Sequence, residues 1–470
     1  MNVEESVISL QPNLFDTLEV ADQSSCKPDK IFREVPYFPA FGDIALGELF
    51  SLSLTNKTNP LTHGLHRFPA KYIPQIPAWV LDQFADESAV VLDPFCGSGT
   101  TLVETLLRSK RAIGIDCDPL ACLITRAKTS SANPDRIQKL GCQLQKAFAT
   151  PAQNLVPPMP DLQNFNHWFS SEAWGNLQSL FAGIGDLDAT EEERNFLLCV
   201  FSSILRWASN ADDQTQKTYV SGTLKKQPPA VEPLFRRALE KAITGLKELA
   251  LLRRRSAEAI VIRGDAAAIN LPENSVDLIV TSPPYLDSVD YMYNFMLEYF
   301  WLGPLLGVKD RRTFNQMRHR VTGAKKPAAK SPPELPHCLD DLITEKDIIP
   351  DRISATRAYC DNMGRHFVSA AKALKPNGYY FLIIGNSQTQ KGVLPIHDSL
   401  IRLAADAGFS FEKAFAYRIR RHYMKFPRAG RGGIITMDWV IALKNTRTCT
   451  SYPGRLPLPN FTLGHDEVAN

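Results

Sequence analysis

The sequence lacks the features of membrane-spanning, secreted and disulfide-bonded proteins. Its 470 residues contain no run of about 18 apolar residues, so no membrane span is expected. Residues 1–16 carry acids where a secretory signal carries basic residues. The nine cysteines are odd in number and none is spaced C-x-x-C, which indicates neither a disulfide framework nor a zinc ribbon. We expect a cytoplasmic protein with no metal site.

The sequence also lacks a large excess of positive or negative charge, since its net charge is only +3. The basic residues are unevenly distributed, however. Residues 311–330 contain seven Lys or Arg and no acid, and residues 418–431 contain six and no acid. Acid-free basic stretches of this kind are typical of contacts with phosphates, so they favour a polyanionic partner. The candidate contacts in the second stretch are Arg420, Arg421 and Lys425.

The hydrophobic pattern predicts a Rossmann-like, doubly wound α/β sheet. A short apolar run at 90–92, a glycine turn, a helical pattern at 100–109 and a second apolar run at 112–115 are typical of its opening βαβ unit. Between 129 and 258 the spacing is helical, which predicts a helical insertion, and residues 303–352 predict a smaller, basic, Pro-rich and loop-rich insertion. The predicted organisation is an arm (1–35), three core segments (36–128, 259–302 and 353–447), these two insertions and a tail (448–470).

The first chemical motif, 92–101, reads LDPFCGSGTT. Glycines at a strand-to-helix turn allow a ligand to approach the backbone, and the helix N-terminus offers free N–H groups. Asp116 ends the next apolar run, where a ribose-binding acid belongs. No Gly-Lys-Ser/Thr follows, which disfavours a P-loop.

The second motif, 281–285, reads TSPPY and follows the apolar run 277–280. Two prolines remove two N–H donors and leave carbonyl oxygens as acceptors beside a hydroxyl and an aromatic ring. Such a group can accept hydrogen bonds and stack a flat ring. It offers no nucleophile–base pair of the kind a hydrolase needs.

Together, the DPFCGSGTT and TSPPY motifs resemble those of the S-adenosylmethionine-dependent DNA amino-methyltransferases, which methylate cytosine N4 or adenine N6. The segment 66–72, HRFPAKY, is also similar to a segment of that family that closes the methionine pocket. The resemblance covers 63–128, 259–302 and 353–445, and implies S-adenosylmethionine as cofactor and DNA as partner. A cognate restriction endonuclease or phage-defence subunits would be further partners.

The resemblance also implies roles for individual residues. Asp116 would hold the cofactor's ribose and Asp265 would meet its adenine. The residues expected at its methionine end are Asp93, Phe95, Gly97, Gly99 and Thr100. The residues expected to capture the target base, flipped out of the duplex, are Ser282, Pro283, Pro284 and Tyr285.

Members of the family that this chain resembles tend to act on cytosine N4 where Ser precedes Pro-Pro-Tyr, so the resemblance implies cytosine N4 here, with adenine N6 as the alternative. Cytosine C5 chemistry is excluded because it needs a nucleophilic thiolate, which typically comes from a Pro-Cys pair. The sequence contains no Pro-Cys dipeptide. The remaining alternatives are an RNA base methyltransferase, a protein glutamine methyltransferase and a DNA-binding regulator with an inactive methyltransferase fold. The sequence leaves open which of three segments recognises the target sequence: 129–258, 303–352 or 418–431.

Overall fold

A computed structural model describes most of the chain. The described residues are 32–53, 60–109, 111–149, 165–213, 217–223, 225–286, 290–324, 326–328, 332–340, 342–343, 348–385, 387–389, 392–419 and 437–448. Among them, no helix is both long and apolar enough to cross a bilayer.

The centre of the fold is a nine-stranded sheet with the strand order β1-β2-β10-β11-β7-β6-β3-β4-β5. A separate two-stranded ribbon is formed by β8 and β9. The strands are β1 (Arg33–Val35), β2 (Leu49–Leu52), β3 (Val90–Asp93), β4 (Arg111–Asp116), β5 (Glu258–Arg263), β6 (Val276–Thr281), β7 (Leu374–Ile384), β8 (Ser387–Thr389), β9 (Gly392–Leu394), β10 (Phe409–Arg418) and β11 (Met437–Asn445).

Thirteen α-helices lie in the described parts of the chain. They are α1 (Gln75–Phe84), α2 (Thr100–Arg108), α3 (Pro119–Lys128), α4 (Pro134–Leu144), α5 (Phe165–Trp168), α6 (Ser171–Asp186), α7 (Glu191–Ala208), α8 (Val231–Leu252), α9 (Tyr291–Asn294), α10 (Met296–Leu302), α11 (Arg311–Arg320), α12 (Ile353–Ala373) and α13 (Ile396–Asp406).

The strand directions confirm the predicted doubly wound α/β class. Strands β5, β4, β3, β6 and β7 are mutually parallel, and β11 is antiparallel to both β7 and β10. The chain order reverses between β3 and β6, because β4 and β5 lie on one side of β3 whereas β6 and β7 lie on the other. In such sheets a crevice for ligands opens at this point, outside the carboxyl ends of the strands.

Both faces of the sheet are covered, which explains why its strands are apolar almost throughout. Alternate residues of β7 enter different cores. Tyr380 and Leu382 pack in the core that includes α12 and α13, whereas Phe381 and Ile383 pack in the core that includes α1. Helices α6, α7 and α8 share a third core with α3 and α10.

Local signals explain several element boundaries. Asp118 and Asn133 cap α3 and α4, each with a proline in the first turn. Thr190 and Glu193 form a capping box at the start of α7.

Two segments differ from the expectations drawn from the sequence. Residues 33–35, placed in the N-terminal arm, form the edge strand β1 through pairing with β2. The segment 303–352, expected to be loop-rich, contains α11, because Phe314 gives that polar segment a buried anchor.

Candidate functional site

The candidate site lies at the carboxyl ends of β3, β4 and β6, where both sequence motifs begin. Asp93 ends β3, Asp116 ends β4 and Thr281 ends β6. Because β3 pairs with both β4 and β6, the parallel sheet brings these three ends side by side. The site therefore coincides with the reversal of strand order.

Asp93 joins the two motifs directly. Its Oδ1 accepts a hydrogen bond from Thr281 Oγ1 at 2.6 Å, and its Oδ2 accepts one from Thr101 Oγ1 at 2.6 Å. The backbone N–H of Phe95 adds a third bond at 3.2 Å, and Tyr72 reaches the network through Thr101. Burial raises the pKa of Asp93 to about 6, while these donors act in the opposite direction.

The glycine turn between β3 and α2 has no room for side chains. Gly97 and Gly99 have φ values of +49° and +75°. A Cβ on Gly99 would lie 2.7 Å from Thr125 Cγ2, and one on Gly97 would lie 3.2 Å from Phe68 Cε1. Only glycine adopts this path without strain. The turn therefore keeps the backbone accessible at the start of α2.

The N-terminus of α2 carries polar groups that protein contacts leave available. Its N-cap, Gly99, provides no side-chain acceptor for the first-turn N–H groups. The hydroxyl of Ser98 is buried and has no hydrogen-bond partner within the described residues. Thr100, the first residue of the helix, is also buried. This end of the helix is suited to a polar ligand.

Asp116, at the end of β4, binds the backbone of the glycine turn. It accepts hydrogen bonds from the N–H groups of Gly97 and Asp118, each at 2.8 Å. Burial, and then the nearby charge of Asp118, raises the pKa of Asp116 to about 7. Because a carboxylate offers about four acceptor positions, Asp116 can receive further donors from a ligand.

The TSPPY loop is anchored at its last residue. Tyr285 OH donates to Asp438 Oδ1 at 2.7 Å, and Tyr417 OH donates to Asp438 Oδ2 at 2.8 Å. Burial raises the pKa of Asp438, and the two hydroxyl donors partly offset that effect. Ser282, the second residue of the motif, is also hydrogen-bonded to the Tyr285 hydroxyl. The loop is thereby fixed to β10 and β11.

Aromatic rings line the space between the two motifs. Phe68, from the 66–72 segment, stacks on Tyr291 with ring centroids 5.9 Å apart. The charges of both Asp116 and Asp438 contribute to raising the pKa of Tyr291, after burial, so this ring lies near both carboxyl groups. The 66–72 segment therefore covers the glycine turn and faces the helix that follows TSPPY.

Asp265 and Phe95 lie on the side of the site next to β5. Asp265 is exposed and caps a short turn through a 2.9 Å hydrogen bond from Ala267 N. Phe95 packs edge-on against His366, whose Nδ1 lies 2.8 Å from the carbonyl oxygen of Ala266. Phe95 and the Asp265 turn thus meet at His366.

The sheet brings together eleven of the predicted residues, namely Asp93, Phe95, Gly97, Gly99, Thr100, Asp116, Asp265, Ser282, Pro283, Pro284 and Tyr285. The predicted contacts Arg420, Arg421 and Lys425 lie outside the described residues.

Sequence reasoning missed Thr101, Thr281, Tyr417 and Asp438. The two threonines belong to the recognised motifs, but their bonds to Asp93 depend on the adjacency of β3 and β6. Nothing around Asp438 in the sequence distinguishes it from an ordinary acid at the start of a strand.

Comparison with known proteins gives consistent results. The profile of the N6/N4 DNA methylase family matches residues 28–126. The type II methyltransferase M.MvaI of Kocuria varians is 24% identical over 411 residues, covering 80% of this chain and 86% of the relative. M.BsoBI of Geobacillus stearothermophilus is 20% identical over 424 residues, covering 77% and 81%. A solved S-adenosylmethionine-dependent methyltransferase of Methanosarcina mazei is 10% identical, with a TM-score of 0.30 over 78% of this chain and 96% of that one. The family match and these relatives confirm the resemblance seen in the motifs: residues 28–126 match the N6/N4 family of DNA methylases, and type II DNA methyltransferases are similar to most of the chain.

Proposed function

We propose that the chain is a type II DNA methyltransferase of a restriction-modification system that methylates the exocyclic N4 of cytosine in a base flipped out of the duplex. The single observation that carries the proposal is the contact between the two motifs. Thr281, beside the target loop, is hydrogen-bonded to Asp93, beside the glycine turn. A donor at the turn and a base at the loop would meet across this bond.

The methyl donor of this family is S-adenosylmethionine, which supplies a sulfonium-bound methyl group with its own leaving group. The chain's features at the glycine turn fit such a molecule. The Ser98 hydroxyl and the first N–H groups of α2 would meet its polar methionine end, and Asp116 would accept from its ribose hydroxyls. Asp265 would accept from its adenine amino group, next to Phe95.

Asp93 has a different role in this proposal. Both of its oxygens are already engaged by the protein. We therefore assign it to positioning: it fixes the glycine turn relative to the target loop. Its buried carboxylate, when ionised, also favours a cation nearby.

The target loop supplies acceptors for an amino group. An aromatic amine is a poor nucleophile because its lone pair is delocalised into the ring. If Ser282 Oγ and the Pro283 carbonyl accept its two N–H bonds, the nitrogen can become pyramidal and direct its lone pair at the methyl group. The protein then contributes mainly orientation and electrostatics.

Flipping the base costs a few kcal/mol. Stacking on the ring of Tyr285 would offset about 1–3 kcal/mol of that cost. The bond to Asp438 holds this ring in place before the base arrives, so little ordering is needed on capture.

The choice of cytosine N4 depends on Ser282 in the Ser-Pro-Pro-Tyr motif. Adenine N6 is the alternative, because both bases present an exocyclic amino group that the same acceptors could hold. The two relatives named above are type II methyltransferases, which supports DNA as the substrate and restriction-modification as the setting.

The test is an assay with purified protein, S-adenosylmethionine and unmethylated DNA, followed by digestion to nucleosides and mass spectrometry. N4-methylcytosine is the expected product. N6-methyladenine would keep the enzyme class and overturn the base assignment. If DNA stays unmodified and RNA is methylated instead, the proposed substrate is wrong. If neither is methylated, failure to bind the donor in calorimetry would favour a regulator with an inactive fold.

A further inference from the structure

Helix α11 carries a charge pattern that its own surroundings do not neutralise. Its ten residues, Arg311–Arg320, include four arginines and no acid. Arg311 and Arg312 occupy the first turn, where the helix dipole disfavours cations. Asp310, the residue just before the helix, caps it and interacts with Arg312. Among the described residues, Arg311, Arg312 and Arg320 are exposed and form no ion pair within 4.0 Å.

Packing holds α11 across the carboxyl edge of the sheet. Phe314 is buried against Tyr299, with ring centroids 5.3 Å apart, and the Tyr299 hydroxyl donates to Asp118 just beyond β4. Arg318 forms a 2.5 Å salt bridge with Asp290, shortly after the TSPPY loop. The helix is therefore anchored at both the donor side and the target side of the candidate site.

The turn that follows α11 touches the target loop itself. Gly323 has a φ of +81°, and a Cβ there would lie 3.1 Å from the carbonyl oxygen of Tyr285 and 3.5 Å from Pro284 Cβ. Only glycine allows this close approach without strain. The basic helix thus ends directly against the residues proposed to capture the base.

We propose that α11 binds the DNA backbone next to the flipped base, with Arg311, Arg312 and Arg320 contacting phosphates. This inference rests on the function proposed above. Arginines suit phosphates because their planar groups donate paired hydrogen bonds. At about 1.5 Å per residue the helix is roughly 15 Å long, enough to follow several phosphates. These contacts would hold the duplex in register while Tyr285 takes the base.

Another basic cluster of the chain is already occupied. Arg253 donates to the carbonyl oxygens of Thr129 and Ala257, and Arg254 forms a salt bridge with Glu87. Both lie just before β5 begins, at the edge of the sheet opposite the candidate site. Their positive charge is therefore structural or remote from the target loop.

The experiment compares the wild type with the variant Arg311→Glu, Arg312→Glu, Arg320→Glu. Binding to a fluorescein-labelled duplex of arbitrary sequence is measured over a series of salt concentrations. Each phosphate contact contributes about 0.9 to the slope of log K against log salt, so losing three should lower its magnitude by about 2–3. Donor binding by calorimetry should stay unchanged, which shows that the fold and the donor site are intact.

A matched control carries the same charge change at exposed sites elsewhere, Arg236→Glu, Arg237→Glu and Arg255→Glu. The control should keep the wild-type slope. The inference is wrong if the α11 variant keeps the wild-type slope, or if the slope of the control falls as much as that of the α11 variant. A second α11 variant with Gln at the same three sites gives the answer should the Glu variant fail to fold. If the wild type methylates DNA and the α11 variant binds DNA with the wild-type salt dependence, only this inference is overturned. If the wild type neither binds nor methylates DNA, the proposed function is overturned.

Discussion

The carboxylate of Asp438 is held by two tyrosine hydroxyls, and only one of them belongs to the target loop. Replacing Tyr285 by Phe removes that hydroxyl and keeps the ring. A hydrogen bond to a charged group contributes about 1.5–3 kcal/mol, so we expect the free energy of unfolding to fall by about that amount. The Tyr417→Phe variant removes the other donor and should lower the free energy of unfolding by a similar amount.

The loss should depend on pH in a defined direction. Burial raises the pKa of Asp438, and the tyrosine hydroxyls counteract that rise, so removing one hydroxyl raises the pKa further. The ionised carboxylate is the form that misses its donor. The loss is therefore largest above the folded-state pKa of Asp438 and shrinks as pH falls below it, so it should be smaller at acidic than at alkaline pH.

Function separates the two variants. Tyr285→Phe loses the anchor of the ring that faces the base, whereas Tyr417→Phe leaves the loop bonded to Asp438. We expect slower methylation only for Tyr285→Phe. Urea denaturation at both pH values and methyl transfer to DNA measure the two effects. Equal loss of methylation in both variants, or no loss of stability in either, would refute the reasoning.

Three further predictions follow from the same geometry. Tyr285→Ala should weaken capture of the target base about 5- to 150-fold through lost stacking, with donor affinity nearly unchanged in calorimetry; a loss of donor affinity would contradict the separate roles of the two motifs. Gly99→Ala should destabilise the protein by at least about 1–2 kcal/mol and weaken donor binding, because φ is +75° and Thr125 lies 2.7 Å from the new Cβ; unchanged melting would argue against the described turn. Donor affinity should rise with pH through about 7, since burial raises the pKa of Asp116 to about 7 and the ribose requires the ionised form; calorimetry across pH should show the rise in the wild type and not in Asp116→Asn.

The sequence alone determined the fold class and the two motifs. Apolar runs ending in Asp93 and Asp116, with a glycine turn between them, have few structural solutions, because a parallel βαβ unit must bury both strands and turn tightly. The TSPPY motif is equally local: two prolines and an aromatic residue define its chemistry wherever it lies. Such features could be predicted because they depend on neighbours in the chain.

Contacts between distant segments were decided only by the tertiary structure. Thr281 reaches Asp93 because β3 and β6 are neighbours in the sheet, although 188 positions separate the two residues. Asp438 binds Tyr285 from β11, and Gly323 meets the same tyrosine from the turn after α11. Strand order and helix packing bring these groups together, and neither leaves a local pattern in the sequence. The charge of α11 was visible in the sequence, but its position beside the target loop follows from the burial of Phe314 and the salt bridge of Arg318.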